Sequence, residues 1–175
     1  WRVMQKSVGV LLILFSCAGL GFGQSLRLTG RLRTLEMMKR MTVLLKGEIR
    51  FGNASLCSAF YEAGGKLEEP FGSFFREVSQ RLSSLGGRSF ESVYRECAQN
   101  DIKLLNIQKE EEELFFSLGS RLGYLDLEMQ MKELLLYEEE LTRRTEELRR
   151  EMPAKKKVYE SLGILGGILL AVLVW

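Results

Sequence analysis

The chain has 175 residues, 46% of them hydrophobic and 27% charged, with a formal net charge of +2 and no histidine. That length holds one domain of ordinary size. The near-neutral balance lacks the basic footprint of a nucleic-acid binder, and the missing imidazole removes the commonest general base and metal ligand.

Charge is distributed unevenly. Residues 7–26 and 161–175 carry none. All but two of the 25 Lys and Arg, and all but one of the 23 Asp and Glu, lie in 27–158. The first apolar run, SVGVLLILFSCAGLGFGQSL, is long enough to cross a bilayer, since about 20 helical residues span roughly 30 Å. A signal peptide is the rival reading, because Arg2 and Lys6 precede the run, and a lipoprotein form would be processed at Cys17. Two features favour a spanning anchor: the run continues past Cys17 through Phe22, and Arg27, Arg31 and Arg33 follow it, where export is resisted. Gly9, Ser16, Gly19 and Gly23 form a small-residue side, with Gly19 and Gly23 as a GxxxG pair suited to close helix packing.

Beyond the first run, Leu28, Leu32, Leu35, Met38, Leu45 and Ile49 recur at helical spacing, so one helix continues to Gly52-Asn53. Asn53 or Ser55 caps a second helix over 56–63, ended by Gly64-Gly65. Glu69-Pro70 opens a third, with Phe71, Phe74, Phe75, Val78 and Leu82 inward and Gly86-Gly87 closing it. Ser89 starts a short fourth bearing Phe90, Val93 and Tyr94. A fifth covers 106–122.

The last helix, over 126–152, carries the seam Leu127, Met131, Leu134, Glu138, Leu141, Thr145, Leu148, Met152 in steps of four and three. That period fits coiled-coil packing along the first helix, with Glu138 and Thr145 as polar interruptions. Pro153 marks a break, after which the helix restarts. The terminal run, SLGILGGILLAVLVW, spans about 22 Å as a helix. It has Gly163, Gly167 and Ala171 at steps of four, and Tyr159 and Trp175 suit the two interfaces. No stretch alternates like a strand. The predicted architecture is all-α: an antiparallel bundle of about six helices (27–158) between two transmembrane helices (1–26 and 159–175). Six basic residues flank the domain side (Arg27, Arg31, Arg33, Lys155, Lys156, Lys157) against Arg2 and Lys6 on the other, which places the domain in the cytoplasm and both termini outside.

Searches for chemistry are empty. Gly64-Gly65-Lys66 lacks the upstream glycine and the Ser/Thr of a phosphate loop. The carboxylate runs 110–113 and 138–140 point around their helices and cannot converge on one ion. Cys17, Cys57 and Cys97 sit forty residues apart in dissimilar surroundings, which is no repeat and no disulfide framework. No catalytic, cofactor-binding or metal residue is assigned, and the chain reads as a partner-binding protein without cofactor, small-molecule substrate or nucleic acid.

Three segments are more specific. Leu118-Gly119-Ser120-Arg121-Leu122-Gly123-Tyr124-Leu125-Asp126, followed by Gln130, makes a tight hairpin in which Gly123 ends one helix and Asp126 caps the next. It resembles a hairpin of the stage III sporulation protein AB family. Glu48-Ile49-Arg50-Phe51-Gly52 with Leu56 and Ala59-Phe60, and Tyr159-Glu160-Ser161-Leu162-Gly163-Ile164-Leu165-Gly166-Gly167, resemble the same family, so the likeness spans the chain. The resemblance implies a role in endospore formation, as a mother-cell component of a secretion-like conduit through the membranes around the forespore. It further implies a domain similar to the type II secretion and type IV pilus platform protein. The partners it implies are the other stage III sporulation proteins of the channel and a secretion-type ATPase, stage III sporulation protein AA. On this reading the chain is a cell-membrane platform in the mother-cell/outer forespore membrane that couples the ATPase to the conduit. Its anchors pack through Gly19, Gly23, Gly163 and Gly167, and its partner surface comprises Gly119, Gly123, Asp126, Gln130 and Glu138. The alternatives are a lipid-anchored extracellular helical protein and a stand-alone coiled-coil membrane scaffold.

Overall fold

A computed structural model describes the backbone of every residue except 1, 53–54, 85–86, 124–125 and 175. Side chains at 2–8, 10–11, 13–14, 18, 52, 171 and 173–174 also lie outside the description. Among the described residues six helices follow one another: α1 (Arg2–Gly52), α2 (Leu56–Lys66), α3 (Phe71–Ser84), α4 (Phe90–Asp101), α5 (Lys109–Leu122) and α6 (Leu127–Val174). The described residues contain no strand. They divide into two compact units: 33–145, and a second formed by 1–32 with 146–175.

The core of the 33–145 unit forms around aromatic residues set at helical spacing. Phe60 of α2, Phe74 and Phe75 of α3, Phe90 and Tyr94 of α4 and Phe115 of α5 pack with ring centroids 4.6 to 6.3 Å apart, within the range of favourable tilted and edge contacts. Each such ring, fully buried, contributes about 1.5–3 kcal/mol. From α1 come Leu35, Met38, Met41, Leu45 and Ile49, and from α6 Leu134, Tyr137 and Leu141, all buried. The buried tyrosine hydroxyls are satisfied: Tyr94 donates to the Phe115 carbonyl at 3.2 Å and Tyr137 to the Leu114 carbonyl at 3.0 Å.

Local chemistry sets most boundaries. Ser55 and Ser89 accept from the backbone N–H groups of Ser58 and Ser92 and so cap α2 and α4, as their sequence positions require. Glu69 caps α3 by accepting from the Ser73 N–H at 2.9 Å, beside a cis Glu69-Pro70 bond.

Three expectations are corrected. Helix α2 continues through Gly64 and Gly65 to Lys66 instead of ending there, because Gly64 is a contact point: a Cβ on it would lie 3.1 Å from the Gly72 carbonyl and the Phe75 Cβ. Gly72 on α3 is equally crowded, so the α2–α3 crossing is glycine on glycine. Helix α5 begins at Lys109, three residues later than expected, since Asn106 adopts a left-handed backbone (φ 54) that no helix tolerates. Helix α6 passes through Pro153 without a break, with Pro153 exposed to solvent.

Among the described residues no helix is long and apolar enough to cross a membrane. The all-helical architecture stands, but the two expected transmembrane helices are not supported. Much of the first expected span, and the end of the second, fall on side chains outside the description.

Candidate interaction surfaces

The hairpin singled out in the sequence joins α5 to α6. Asp126 accepts from the Met129 N–H at 2.8 Å through its carboxylate, and its carbonyl accepts from Gln130 N–H at 2.9 Å, so it caps α6 as expected. The Gln130 side chain donates to the Leu122 carbonyl at 3.5 Å, tying α6 back to the end of α5. Gly123 closes α5 in right-handed geometry (φ −59). Tyr124 and Leu125 lie outside the described residues.

The other two residues expected on the partner face have internal neighbours. Gly119 is buried, and a Cβ there would meet Tyr94 Cδ1 at 2.7 Å, so the glycine makes room for the α4 ring. Glu138 forms an ion pair with Lys46 of α1, both side chains about three-quarters buried, joining α1 to α6 at a polar interruption of the seam. The structure therefore gathers Gly123, Asp126 and Gln130 in one hairpin, and directs Gly119 to the core and Glu138 to α1. The outward face of α6 instead shows Leu127, Met129, Leu135 and Leu136, each about half exposed, with Lys132 and Glu139 among them.

An ionic clasp was missed in the sequence. Arg121 of α5 bonds Glu140 at 2.9 Å, lies 3.7 Å from Glu133, and stacks its guanidinium 5.5 Å over the Tyr137 ring; Arg144 reaches Glu140 at 3.3 Å. Tyr137, three residues after Leu134 and four before Leu141, continues the buried stripe. That spacing was the available signal.

The unit built from both chain ends is an antiparallel helix pair in contact at two glycines. A Cβ on Gly21 would lie 2.6 Å from the Tyr159 carbonyl, and one on Gly163 would lie 2.8 Å from the Cys17 carbonyl; the two Cα atoms are the next neighbours. The seam thus runs through Cys17, Gly21 and Ser25 on α1 and through Tyr159, Gly163 and the buried Gly167 on α6. Gly19 and Gly23 lie off it, with open space around them, because a helix offset of two residues turns a side about 200° away. Beside the crossing lies a groove of about 290 Å³, lined by Leu20, Gln24, Leu162 and Gly166 among others. Around this pair Phe15, Leu20, Phe22, Leu26, Leu162, Leu165, Leu169 and Val172 are all more than half exposed.

Among the described residues no cluster of three His, Cys, Asp or Glu side chains is placed to hold a metal ion. All three cysteines are free. Burial pushes the Cys97 thiol up to about 11, away from a reactive thiolate. Cys57 donates to the Ser79 carbonyl at 3.2 Å.

Against known proteins, no curated sequence matches the chain. A solved structure of a stage III sporulation protein AB superposes with a TM-score of 0.61 at 22% identity, over 70% of this chain and 96% of that one, which shows a shared fold. The family profile described as stage III sporulation protein AB matches residues 6–175. By that match along nearly its whole length, the chain belongs to the stage III sporulation protein AB family and is a sporulation-related protein.

Proposed function

We propose that this chain is a non-enzymatic platform of the sporulation conduit, held in the mother-cell/outer forespore membrane by its two apolar ends, with residues 27–158 in the cytoplasm engaging a secretion-type ATPase, stage III sporulation protein AA, and the other stage III channel proteins. The observation that carries the membrane part is the inverted surface of the terminal helix pair. Its small residues, Gly21, Gly163 and Gly167, face inward, and its large apolar residues face outward. Water penalises such a surface, since exposed apolar patches beyond a few hundred Å² are rare on soluble monomers, whereas lipid rewards close glycine packing. Processing at Cys17 is disfavoured, because Cys17 lies inside α1 and its carbonyl packs on Gly163.

The coupling part rests on family membership and on the outward face of α6, where Met129, Leu135 and Leu136 accompany the Asp126 hairpin. Half-exposed Leu and Met side chains with Lys132 and Glu139 among them mix apolar contact area with charge, as the surfaces of non-obligate partners do. The test is direct association of the full-length chain, in detergent, with the purified ATPase. Binding is expected, and Leu136→Glu is expected to weaken it at least tenfold while leaving the helical circular-dichroism spectrum unchanged. Absence of binding, with both proteins folded, sinks the coupling role.

A further inference from the structure

We propose that the cationic collar formed by Lys155, Lys156 and Lys157 with Arg27 is a binding surface for anionic phospholipid headgroups. This inference rests on the reading of the terminal helix pair as a membrane element.

The geometry follows from the glycine crossing. Gly21 lies against Gly163 in an antiparallel pair, so each step toward the chain centre on α1 matches a step toward the chain start on α6. Six residues along, Arg27 comes level with Lys157. Further along, Arg31 acts electrostatically on Glu151, whose carboxyl is held below the usual range chiefly by its hydrogen bond to Lys155. The collar is thus one ring around both helices, and its chemistry changes abruptly along the axis. On one side are the exposed apolar residues Phe22, Leu26, Val158 and Leu162. Immediately on the other is the ring of cations.

Three consecutive lysines fan through about 200° of the helix surface, so the ring presents charge in several directions at once. Lys155 is partly engaged by Glu151 at 2.6 Å. Lys156 and Lys157 have no ion-pair partner among the described residues. Arg27 has a partner of its own, so the uncancelled charge of the ring is that of the lysines, which the acids nearby leave in place. Glu151 faces Lys155 and Arg31, Glu146 faces Arg150 at 3.9 Å, Glu147 has a partner of its own, and Glu160 lies beyond the lysines on the apolar side. Lysine stems of four methylenes can lie along the apolar surface while their ammonium groups reach an interface. Half-buried Tyr159, one helical turn from the lysines, has the amphipathic ring that settles at headgroup depth. A phosphodiester at that depth meets several ammonium groups at once, whereas a free phosphate in water gains no such alignment. The headgroup is therefore the fitting source of the anion.

The experiment uses the full chain in a neutral maltoside detergent, exchanged with mixed dioleoyl phosphatidylglycerol and dioleoyl phosphatidylcholine, and reads retained lipid by native mass spectrometry. Phosphatidylglycerol is expected to be retained on the order of tenfold over phosphatidylcholine, since basic residues near a lipid surface attract anionic headgroups. The preference should shrink as salt rises. The triple K155Q/K156Q/K157Q variant should lose it, K155R/K156R/K157R should keep it, and 10-fold excess inorganic phosphate should leave it unchanged. Equal retention of the two lipids by the wild type, or a preference unaltered in the Gln variant, overturns the proposal. Displacement by inorganic phosphate also overturns it, in favour of a small-anion site. Failure of the underlying reading looks different: the chain would stay soluble without detergent and retain no lipid of either kind.

Discussion

Single residues in this protein are constrained mostly by close packing. Gly119 leaves no room for a methyl group against Tyr94 Cδ1, so Gly119→Ala forces the ring or α5 to move. Overpacking of this kind costs about 1–3 kcal/mol. Urea denaturation followed by circular dichroism should show that loss, and an unchanged midpoint would mean that the α4–α5 contact is looser than its geometry. A second prediction concerns alkaline pH. Burial raises Cys97 from 9.0 to about 11, and burial also raises the Tyr94 and Tyr137 hydroxyls above their ordinary value. Groups with folded-state values above the unfolded ones contribute fully below the unfolded value and lose that contribution as pH rises. Stability should therefore hold to about pH 9 and fall as pH climbs toward 11. At pH 8 the Cys97 thiol should react with a disulfide reagent only as fast as the bundle opens, and fast labelling of all three thiols without denaturant would contradict the burial.

At the scale of elements, helix pairs are held by glycine crossings and a few ionic contacts. Lys46 and Glu138 are about three-quarters buried at a polar break in the α1–α6 seam. Removing one partner of such a pair strands the other charge. Lys46→Glu should therefore lower stability by about 1–3 kcal/mol, and Lys46→Glu with Glu138→Lys should restore a good part of it. A double reversal no better than the single one would show that the pair is incidental. The terminal pair gives a sharper contrast. Gly163→Leu should lower the melting temperature of the detergent-solubilised chain by several degrees, whereas Gly19→Leu and Gly23→Leu should leave it nearly unchanged, because the first presses on the Cys17 carbonyl and the others meet open space. Equal effects at all three positions would mean that the crossing lies elsewhere.

For the whole molecule, the consequence of the proposed anchoring is physical partition. Membranes from cells expressing the full chain, washed with sodium carbonate at pH 11, should retain it in the pellet, and detergent should release it. Recovery in the carbonate supernatant would leave the exposed leucines and phenylalanines of the terminal pair without a solvent that suits them. A wash at that pH also bears on the alkaline prediction, which has the bundle lose stability there while its ends stay embedded; the two are separated by repeating the extraction with urea at neutral pH.

Helix content was legible in the sequence because its signals are local. Apolar spacing on α1 and α6 and the caps at Ser55, Ser89 and Asp126 follow from residues near one another. The family likeness was legible for the same reason, in three short segments. Contacts between distant residues were not. A GxxxG spacing identifies a helix able to pack closely, but Gly21, rather than Gly19 or Gly23, meets Gly163, because the side of α1 that faces α6 is set by how the two helices lie together. Gly64 looked like a stop signal and is instead a crossing point, since the cost of glycine within a helix, about 1 kcal/mol, is offset by the approach of Gly72 and Phe75. Sequence alone determined which segments are helical and which family they build; the tertiary structure decided which glycines, tyrosines and charges meet, because packing is a property of pairs of surfaces and no single stretch of chain contains both.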